Sequence, residues 1–349
     1  MALEDHPQTG QVSIQDKEDI SLSHQYRLSL PSKPSQSSFR VLALLFYEDD
    51  SRKPSTLPPW VAQTTKDGRK YIVGANDEPG YMGGAICAER AAMVQLRFVP
   101  SFRITKVVVA TDSVDPISPG MLCREFLAGH DSVPWNVPVV CAGCVWAQSQ
   151  QRDDVLFGET LNDLPILHTT IRDLYPYPSP YTRLTASKSE TLGQSFSDQA
   201  TQDLDSLDET AKRLLELAIL EAKSNVSDLH PIQFGAAVAF EDGTIVTSHQ
   251  SSALEYGCTL DAVSQLASHI QESAPVFLVQ ADQFGIAHSP FAPARAFLTE
   301  NGFGNCKILL HETPIDVFQI EEWRLRQICA SDLAPDIPSW TTGTDRSHT

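Results

Sequence analysis

The sequence predicts an α/β protein built from two copies of one three-layer α/β/α unit, with the second copy degenerate. Short apolar runs rich in β-branched residues alternate with helix-forming segments, which is the pattern of a layered α/β fold. The segment 118–124, Ser-Pro-Gly-Met-Leu-Cys-Arg, returns at 289–295 as Ser-Pro-Phe-Ala-Pro-Ala-Arg. Self-similarity of this kind indicates an internal repeat.

The first copy follows this alternation from residue 39 onward. A run that is rich in helix formers and free of Gly and Pro predicts a helix over Cys87–Phe98. Pro119 is predicted to open the next helix, which runs toward Leu127, because proline tolerates the first helical position. The predicted strands of this copy are Val41–Tyr47, Tyr71–Val73, Ile104–Ala110 and Val137–Cys141.

The second copy begins after a stretch rich in Ser, Thr, Asp and Gln. Apolar residues on one face predict a helix over Asp208–Lys223, and an Asp-Gly turn joins predicted strands at Phe234–Phe240 and Thr244–Thr247. Composition divides the chain into a mostly disordered tail (1–36) with Ile14–Gln25 as the candidate for a short helix, a first domain (37–181), a linker (182–207), a second domain (208–320) and a C-terminal tail (321–349).

Charge and cysteine content exclude several classes of function. The 349 residues carry 44 acidic and 26 basic side chains, and the net charge of −18 repels nucleic-acid backbones and anionic membrane surfaces. Seven cysteines spread over this length do not suggest a disulfide framework. Because neither a signal peptide nor an apolar run of about 20 residues is visible, we expect a cytoplasmic protein.

Two short motifs carry the candidate chemistry of the first copy. The segment 87–90, Cys-Ala-Glu-Arg, and the pair Cys123-Arg124 each have a cysteine at or near a predicted helix start, where the helix dipole stabilises a thiolate. Catalytic zinc takes three protein ligands and keeps a fourth position for water, which it activates. Glu89 would lie beside such a metal and move protons, and Arg124 would balance the charge of the thiolates.

Asn76 and Glu78 lie just upstream of the first cysteine motif. Polar groups at this position can hold a sugar, and a carboxylate favours a sugar hydroxyl over a phosphate, which it repels. The alternative interpretation is a polar turn between Gly74 and Gly80. For the cysteines the alternative is that each is a small buried apolar residue.

Together these motifs resemble the cytidine deaminase family, in its two-repeat, homodimeric bacterial and plant form, over most of residues 37–320. The resemblance implies cytidine-deaminase-like repeats and a Zn²⁺-dependent hydrolase that converts cytidine or deoxycytidine to the uridine form plus ammonia in pyrimidine salvage. It implies a homodimer that binds a small nucleoside and neither nucleic acid nor membrane. The implied roles are zinc ligation by Cys87 and Cys123, proton transfer by Glu89, sugar binding by Asn76 and Glu78, and an aromatic contact to the nucleoside by Phe39.

Gly120 departs from the family pattern, which has a cysteine at this position. Cys141, or alternatively Cys144, could supply the third zinc ligand, since adjacent parallel strands end on the same side of a sheet. Otherwise an additional water fills the gap, or zinc is lost. The last outcome makes the chain a non-catalytic binding or regulatory protein with a deaminase fold. A deaminase of nucleotides or of polynucleotide cytosines is a further alternative, and the acidic charge opposes the polynucleotide.

The second copy is predicted to keep the fold without the chemistry. Counting from the strands and from the repeated Ser-Pro motif gives its counterparts of the site residues: Asp261 near the place of Cys87, Val263 near that of Glu89, Phe291 at that of Gly120 and Ala294 at that of Cys123.

Overall fold

The computed structural model describes residues 12–49, 62–99, 101–144 and 164–336, which form two compact units. The first unit comprises the described residues up to Leu174 together with Asp336, and the second comprises Tyr175–Pro335. Each unit contains one mixed sheet covered by helices, so the predicted α/β class with two similar layered units is confirmed. Within the described ranges, no helix is long and apolar enough to cross a membrane.

The first unit is built around a six-stranded sheet. Its strands are β1 (Val41–Asp49), β2 (Ala62–Thr64), β3 (Lys70–Ala75), β4 (Phe102–Thr111), β5 (Pro138–Ala142) and β6 (Ile166–Thr170). Its helices are α1 (Ile14–Ser29), α2 (Ala88–Gln95), α3 (Met121–Ala128) and α4 (Ile171–Leu174). The strand order is β2-β3-β1-β4-β5-β6, in which only the β4–β5 pair is parallel among the described strands.

Side chains of β1 alternate between the two faces of this sheet. Leu42, Leu44 and Phe46 pack with Ile20 of α1 on one face. On the other face, Gly74 of β3 lies against the first turn of α2, where a Cβ would come within 2.1 Å of the Ala88 carbonyl oxygen. A glycine is therefore required for α2 to approach the sheet this closely, and that approach positions the start of α2.

Helix α1 confirms the candidate helix at Ile14–Gln25 and extends it to Ser29, so these residues are an element of the first unit and not part of a disordered tail. Ile20 is completely buried, and Asp19, also buried, forms ion pairs with Arg69 (2.8 Å) and Lys106 (2.7 Å). The buried face also carries His24, so polar residues interrupt the apolar periodicity by which an amphipathic helix is recognised in sequence.

Buried His24 makes the stability of the first unit depend on pH. Arg27 Nε donates to its Nδ1 at 3.2 Å, and burial together with the Arg27 charge lowers the pKa of His24 to about 4, against about 6.5 for an ordinary histidine. Between pH 4 and pH 6.5 the unfolded chain therefore binds more protons than the folded chain. The free energy of unfolding falls as the pH drops through this range, by up to about 3 kcal/mol.

Urea unfolding at pH 7 and pH 5 checks this dependence. His24→Asn keeps an acceptor for Arg27 and removes the titration, so we expect a shallower loss of unfolding free energy in that variant. His168→Asn, at an exposed histidine, serves as the control. An equal loss of unfolding free energy between pH 7 and pH 5 in wild type and His24→Asn would contradict the lowered pKa of His24.

Helix α3 begins two residues later than predicted. Gly120 is its N-cap residue, with φ −65° and ψ 161°, and Met121 is its first helical residue. Pro119 precedes the cap, and its carbonyl oxygen accepts a hydrogen bond from Arg124 Nε at 2.7 Å. This start places Cys123 in the first turn of α3.

The second unit has a related sheet. Its strands are β7 (Phe234–Phe240), β8 (Ile245–His249), β9 (Pro275–Asp282), β10 (Ala287–His288), β11 (Lys307–Glu312) and β12 (Arg324–Cys329). Its helices are α5 (Ala186–Asp205), α6 (Glu209–Ser224), α7 (Ala262–Gln265), α8 (Ala267–Glu272) and α9 (Ala292–Glu300). The strand order is β12-β11-β9-β7-β8, β9 and β11 are parallel, and β10 pairs with β9.

Two segments predicted to lie outside the domains belong to the second unit. The predicted linker contains α5, whose Leu192 and Phe196 are completely buried. The predicted C-terminal tail contributes β12, which pairs with β11, and buried Leu333. A few apolar residues at a spacing of four suffice for α5, and these are easily missed in a segment dominated by Ser, Gln and Asp.

Matching details of the two units confirm the internal repeat. Arg124 donates to the Pro119 carbonyl and to Ser118 Oγ, each at 2.7 Å. Arg295 donates in the same way to the Pro290 carbonyl at 2.7 Å and to Ser289 Oγ. Both guanidinium groups are buried and hold the loop that leads into a helix, α3 in one unit and α9 in the other.

Candidate active site

The start of α2 supplies two of the candidate site residues. Cys87 is the N-cap of the helix, and Glu89 is its second residue. Asp77 and Ile86 exchange backbone hydrogen bonds of 3.0 Å in both directions, which anchors the chain directly before Cys87. The thiol and the carboxyl group therefore lie at the positive end of the helix dipole.

The structure brings Cys87, Glu89 and Cys123 together. One donor atom from each, two Sγ atoms and a carboxylate oxygen, all lie within 4.8 Å of one another. Glu89 is only 2% exposed, and Cys123 is completely buried. Three groups separated by up to 36 positions in the sequence thus meet because the first turns of α2 and α3 adjoin on one face of the sheet.

The thiols of Cys87 and Cys123 differ in pKa. The Cys123 thiol donates a hydrogen bond to the Cys87 sulfur, which lowers the pKa of Cys87 to about 7 although burial opposes this change. The same hydrogen bond, together with burial, raises the pKa of Cys123 well above its ordinary value. Cys87 is therefore the thiol that ionises first in this pair.

Burial controls the protonation of Glu89. Removing the carboxylate from water disfavours its charged form and raises the pKa of Glu89, although neighbouring polar groups and the positive charges of Arg90 and Arg124 oppose the rise. Burial thus makes the Glu89 carboxyl group a stronger base than an exposed glutamate.

Arg90 is a charged site residue to which sequence analysis assigned no role. Its guanidinium nitrogen lies 3.7 Å from Cys87 Sγ, and its charge favours the thiolates of both Cys87 and Cys123. Arg124, the predicted charge-balancing residue, instead directs hydrogen bonds to Ser118 and to the Pro119 and Leu174 carbonyls. The position of Arg90 three residues after Cys87, one helical turn away, is the signal that could have indicated this contact.

The third zinc ligand expected from the family is not part of this group among the described residues. Gly120 contributes no side chain, and Cys141 is a buried residue of β5 whose pKa is raised by burial and by the charge of Glu89. Cys144 lies against α1, where Arg27 donates to its sulfur at 3.4 Å. Ligation by Cys141 or Cys144 thus stays a prediction.

Asn76, Glu78 and Phe39 come together at one edge of the first sheet. Asn76 Nδ2 donates to the Phe39 carbonyl at 2.9 Å, and Asn76 Oδ1 accepts from the Val41 amide at 2.8 Å. The Glu78 carboxylate accepts from the Ser37 amide and the Ser37 hydroxyl, each at 2.7 Å. Burial opposes ionisation of Glu78, but these donors outweigh it and lower the pKa of Glu78.

The second unit has the same framework with other side chains. The bridge between Ser251 and Leu260 matches that between Asp77 and Ile86, so Asp261 occupies the place of Cys87, as predicted. The Asp261 carboxylate caps α7 by accepting from the Ser264 amide at 2.9 Å. The other predicted counterparts are apolar: Val263 and Ala294 are completely buried, and Phe291 is half-buried.

Solved structures of cytidine deaminases are similar to part of this chain. A mutant of the enzyme from Mycobacterium tuberculosis is 23% identical, with a TM-score of 0.31, and the match covers 38% of this chain and 100% of the enzyme. The enzyme from Mycobacterium leprae is 19% identical over 37% of this chain and 99% of its own, with a TM-score of 0.30. The enzyme from Burkholderia pseudomallei is 21% identical over 45% of this chain and 93% of its own, also with a TM-score of 0.30. No family model and no curated protein matches the chain.

Proposed function

We propose that the chain is a zinc-dependent hydrolase that converts cytidine or deoxycytidine to uridine or deoxyuridine with release of ammonia. The observation that carries this proposal is the buried Glu89 carboxyl group within 4.8 Å of the thiols of Cys87 and Cys123. The proposal includes a homodimer that acts in pyrimidine salvage in the cytoplasm.

The two thiols supply two of the three protein ligands that a catalytic zinc ion takes. Cys87 and Cys123 provide soft sulfur ligands, which zinc accepts readily. The lowered pKa of Cys87 and the nearby Arg90 guanidinium favour the deprotonated form that a metal ligand needs. A zinc ion bound there would supply an activated water for attack on the cytosine ring.

Glu89 is the proton carrier of the proposed reaction. Hydrolytic deamination forms a C4–O bond from water, breaks the C4–N bond and releases ammonia. Of the two protons of that water, one ends on N3 of the ring, and the other must move to the departing nitrogen. Glu89 is placed beside the thiols, and its raised pKa suits it to accept that proton and then release it.

Asn76, Glu78 and Phe39 form the proposed sugar end of the site. The ionised Glu78 carboxylate accepts hydrogen bonds from hydroxyl groups and repels phosphate, which supports a nucleoside rather than a nucleotide as substrate. The bridge between Asp77 and Ile86 links this edge to Cys87, since Glu78 and Cys87 each lie one residue away from the bridged pair.

Zinc content and ammonia release from cytidine test the proposal together. We expect about one zinc ion per chain in the purified wild type, and loss of that zinc in Cys87→Ala and Cys123→Ala. Cys144→Ala tests the alternative third ligand: the Cys144 sulfur accepts a hydrogen bond from Arg27 of α1, and loss of zinc in this variant would identify Cys144 as a ligand.

The Cys141→Ala variant decides the third ligand. Loss of zinc in this variant would identify Cys141 as a ligand, whereas retained zinc would leave the remaining positions to water. Wild-type protein that contains no zinc and releases no ammonia would contradict the enzyme proposal and favour the non-catalytic alternative.

A further inference from the structure

At the sugar end of the site, the loop before β1 and the loop after β3 are joined by hydrogen bonds to the Glu78 carboxylate. The amides of Ser37 and Gln36 donate to Glu78 Oε2 at 2.7 and 3.2 Å. The Ser37 hydroxyl and Asn76 Nδ2 donate to Glu78 Oε1 at 2.7 and 3.4 Å. An ionised carboxylate has about four acceptor positions, so the described residues already occupy the whole Glu78 carboxylate.

Ser37 is the residue that connects Glu78 with Phe39. Its hydroxyl oxygen donates to Glu78 and at the same time accepts from the Phe39 amide at 3.1 Å. Ser38, which lies between Ser37 and Phe39 in the sequence, has a φ of 54°, in the left-handed region that non-glycine residues rarely adopt. A turn of this kind persists only when surrounding contacts hold it, and the Ser37 hydroxyl provides two of them.

We propose that Ser37 is a positioning residue for nucleoside recognition, which holds the Glu78 carboxylate and the turn carrying Phe39 in the geometry that binds the sugar. This inference rests on the proposed function. Asn76 Nδ2 makes the longest of the four contacts to Glu78, so it is the donor that a sugar hydroxyl displaces most easily. Ser37, with both amide and hydroxyl at 2.7 Å, keeps the carboxylate in place during that exchange.

Calorimetric titration with uridine, the product of the proposed reaction, tests this role without turnover. We expect Ser37→Ala to weaken uridine binding by about 10-fold or more, the usual effect of losing a hydrogen bond to a charged group. Ser37→Thr keeps the hydroxyl and should restore binding. Ser38→Ala, one residue along the same turn, is the matched control and should bind uridine like the wild type.

A second ligand, 2′,3′-dideoxyuridine, separates a local effect from general damage. It lacks the 2′ and 3′ hydroxyls of the sugar, so wild type and Ser37→Ala should bind it with similar affinity, and the preference for uridine should shrink only in Ser37→Ala. Circular dichroism and the urea midpoint establish that the variant is folded. If Ser37→Ala does not fold, Ser37→Cys, which keeps a side chain of similar size and donates weakly, replaces it.

The outcomes separate this inference from the proposed function. Wild type that binds uridine, with an unchanged uridine preference in folded Ser37→Ala, overturns the role of Ser37 and leaves the proposed function standing. Equal loss of both ligands in that variant also overturns it, because the effect would not depend on the sugar hydroxyls. Wild type that binds neither ligand overturns the proposed function and this inference together.

Discussion

Replacing Glu89 by glutamine is expected to lower the rate of ammonia release from cytidine by a factor of about 100 to 10,000, the usual contribution of a general acid–base group. Glutamine has nearly the same shape but cannot carry the proton from water to the departing nitrogen. Because the raised pKa of Glu89 shows that its environment already disfavours charge, a neutral amide should be tolerated in the fold.

Three measurements make this prediction specific. Zinc content should remain that of the wild type if Glu89 moves protons and Cys87 and Cys123 bind the metal. The urea midpoint of Glu89→Gln should lie close to that of the wild type. Glu48→Gln, at an exposed glutamate of β1, is the matched control and should keep full activity. Normal turnover in Glu89→Gln would exclude the proposed mechanism.

Replacing Gly120 by cysteine is expected to increase zinc affinity by about 100-fold or more. The binding free energy of zinc in sites with four protein ligands is about 10–16 kcal/mol, so one additional ligand contributes on the order of 3 kcal/mol. The backbone at Gly120 is in an extended conformation that any residue adopts. A Cβ there meets no heavy atom of the described residues within 4 Å, apart from its chain neighbours.

Metal competition with a chromogenic chelator measures this gain. Gly120→Ala adds the same Cβ without a sulfur and should leave zinc affinity unchanged, while Gly120→Cys should also increase ammonia release at limiting zinc. An affinity equal to that of the wild type in a folded Gly120→Cys variant would show that the site is already complete, for instance through Cys141, or that its sulfur does not reach the metal position.

Much of the fold could be predicted from the strand and helix patterns near the site. The apolar run at Val41–Tyr47 and the β-branched run at Ile104–Ala110 form central strands, and the helix that begins after Cys87 lies where its composition indicated. Helix α5 was missed, and α1 was predicted only as a short candidate helix within a mostly disordered tail, for one physical reason. Their buried faces combine few apolar residues with polar ones, such as Asp19 in α1, whose burial depends on partners distant in sequence.

The candidate site was predictable to a similar extent. Cys87, Glu89 and Cys123 could be singled out because they stand at helix starts within short motifs, and the structure brings them together. Arg90, three residues after Cys87, was overlooked as a contact of the thiols, and Arg124, which directly follows Cys123, was assigned that role instead. Which of the two guanidinium groups turns toward sulfur depends on the backbone carbonyls that each can reach.

The sequence by itself determined the α/β class, the internal repeat and the replacement of the site's cysteines in the second unit, because these follow from residue identity and local periodicity. Only the tertiary structure decided that two thiols and one carboxyl group meet without a third thiol in their group among the described residues. It also decided that the Ser37 hydroxyl, rather than solvent, faces Glu78. Contacts of this kind join residues distant in the chain, and their geometry is set by how α2, α3 and the loops pack on the sheet.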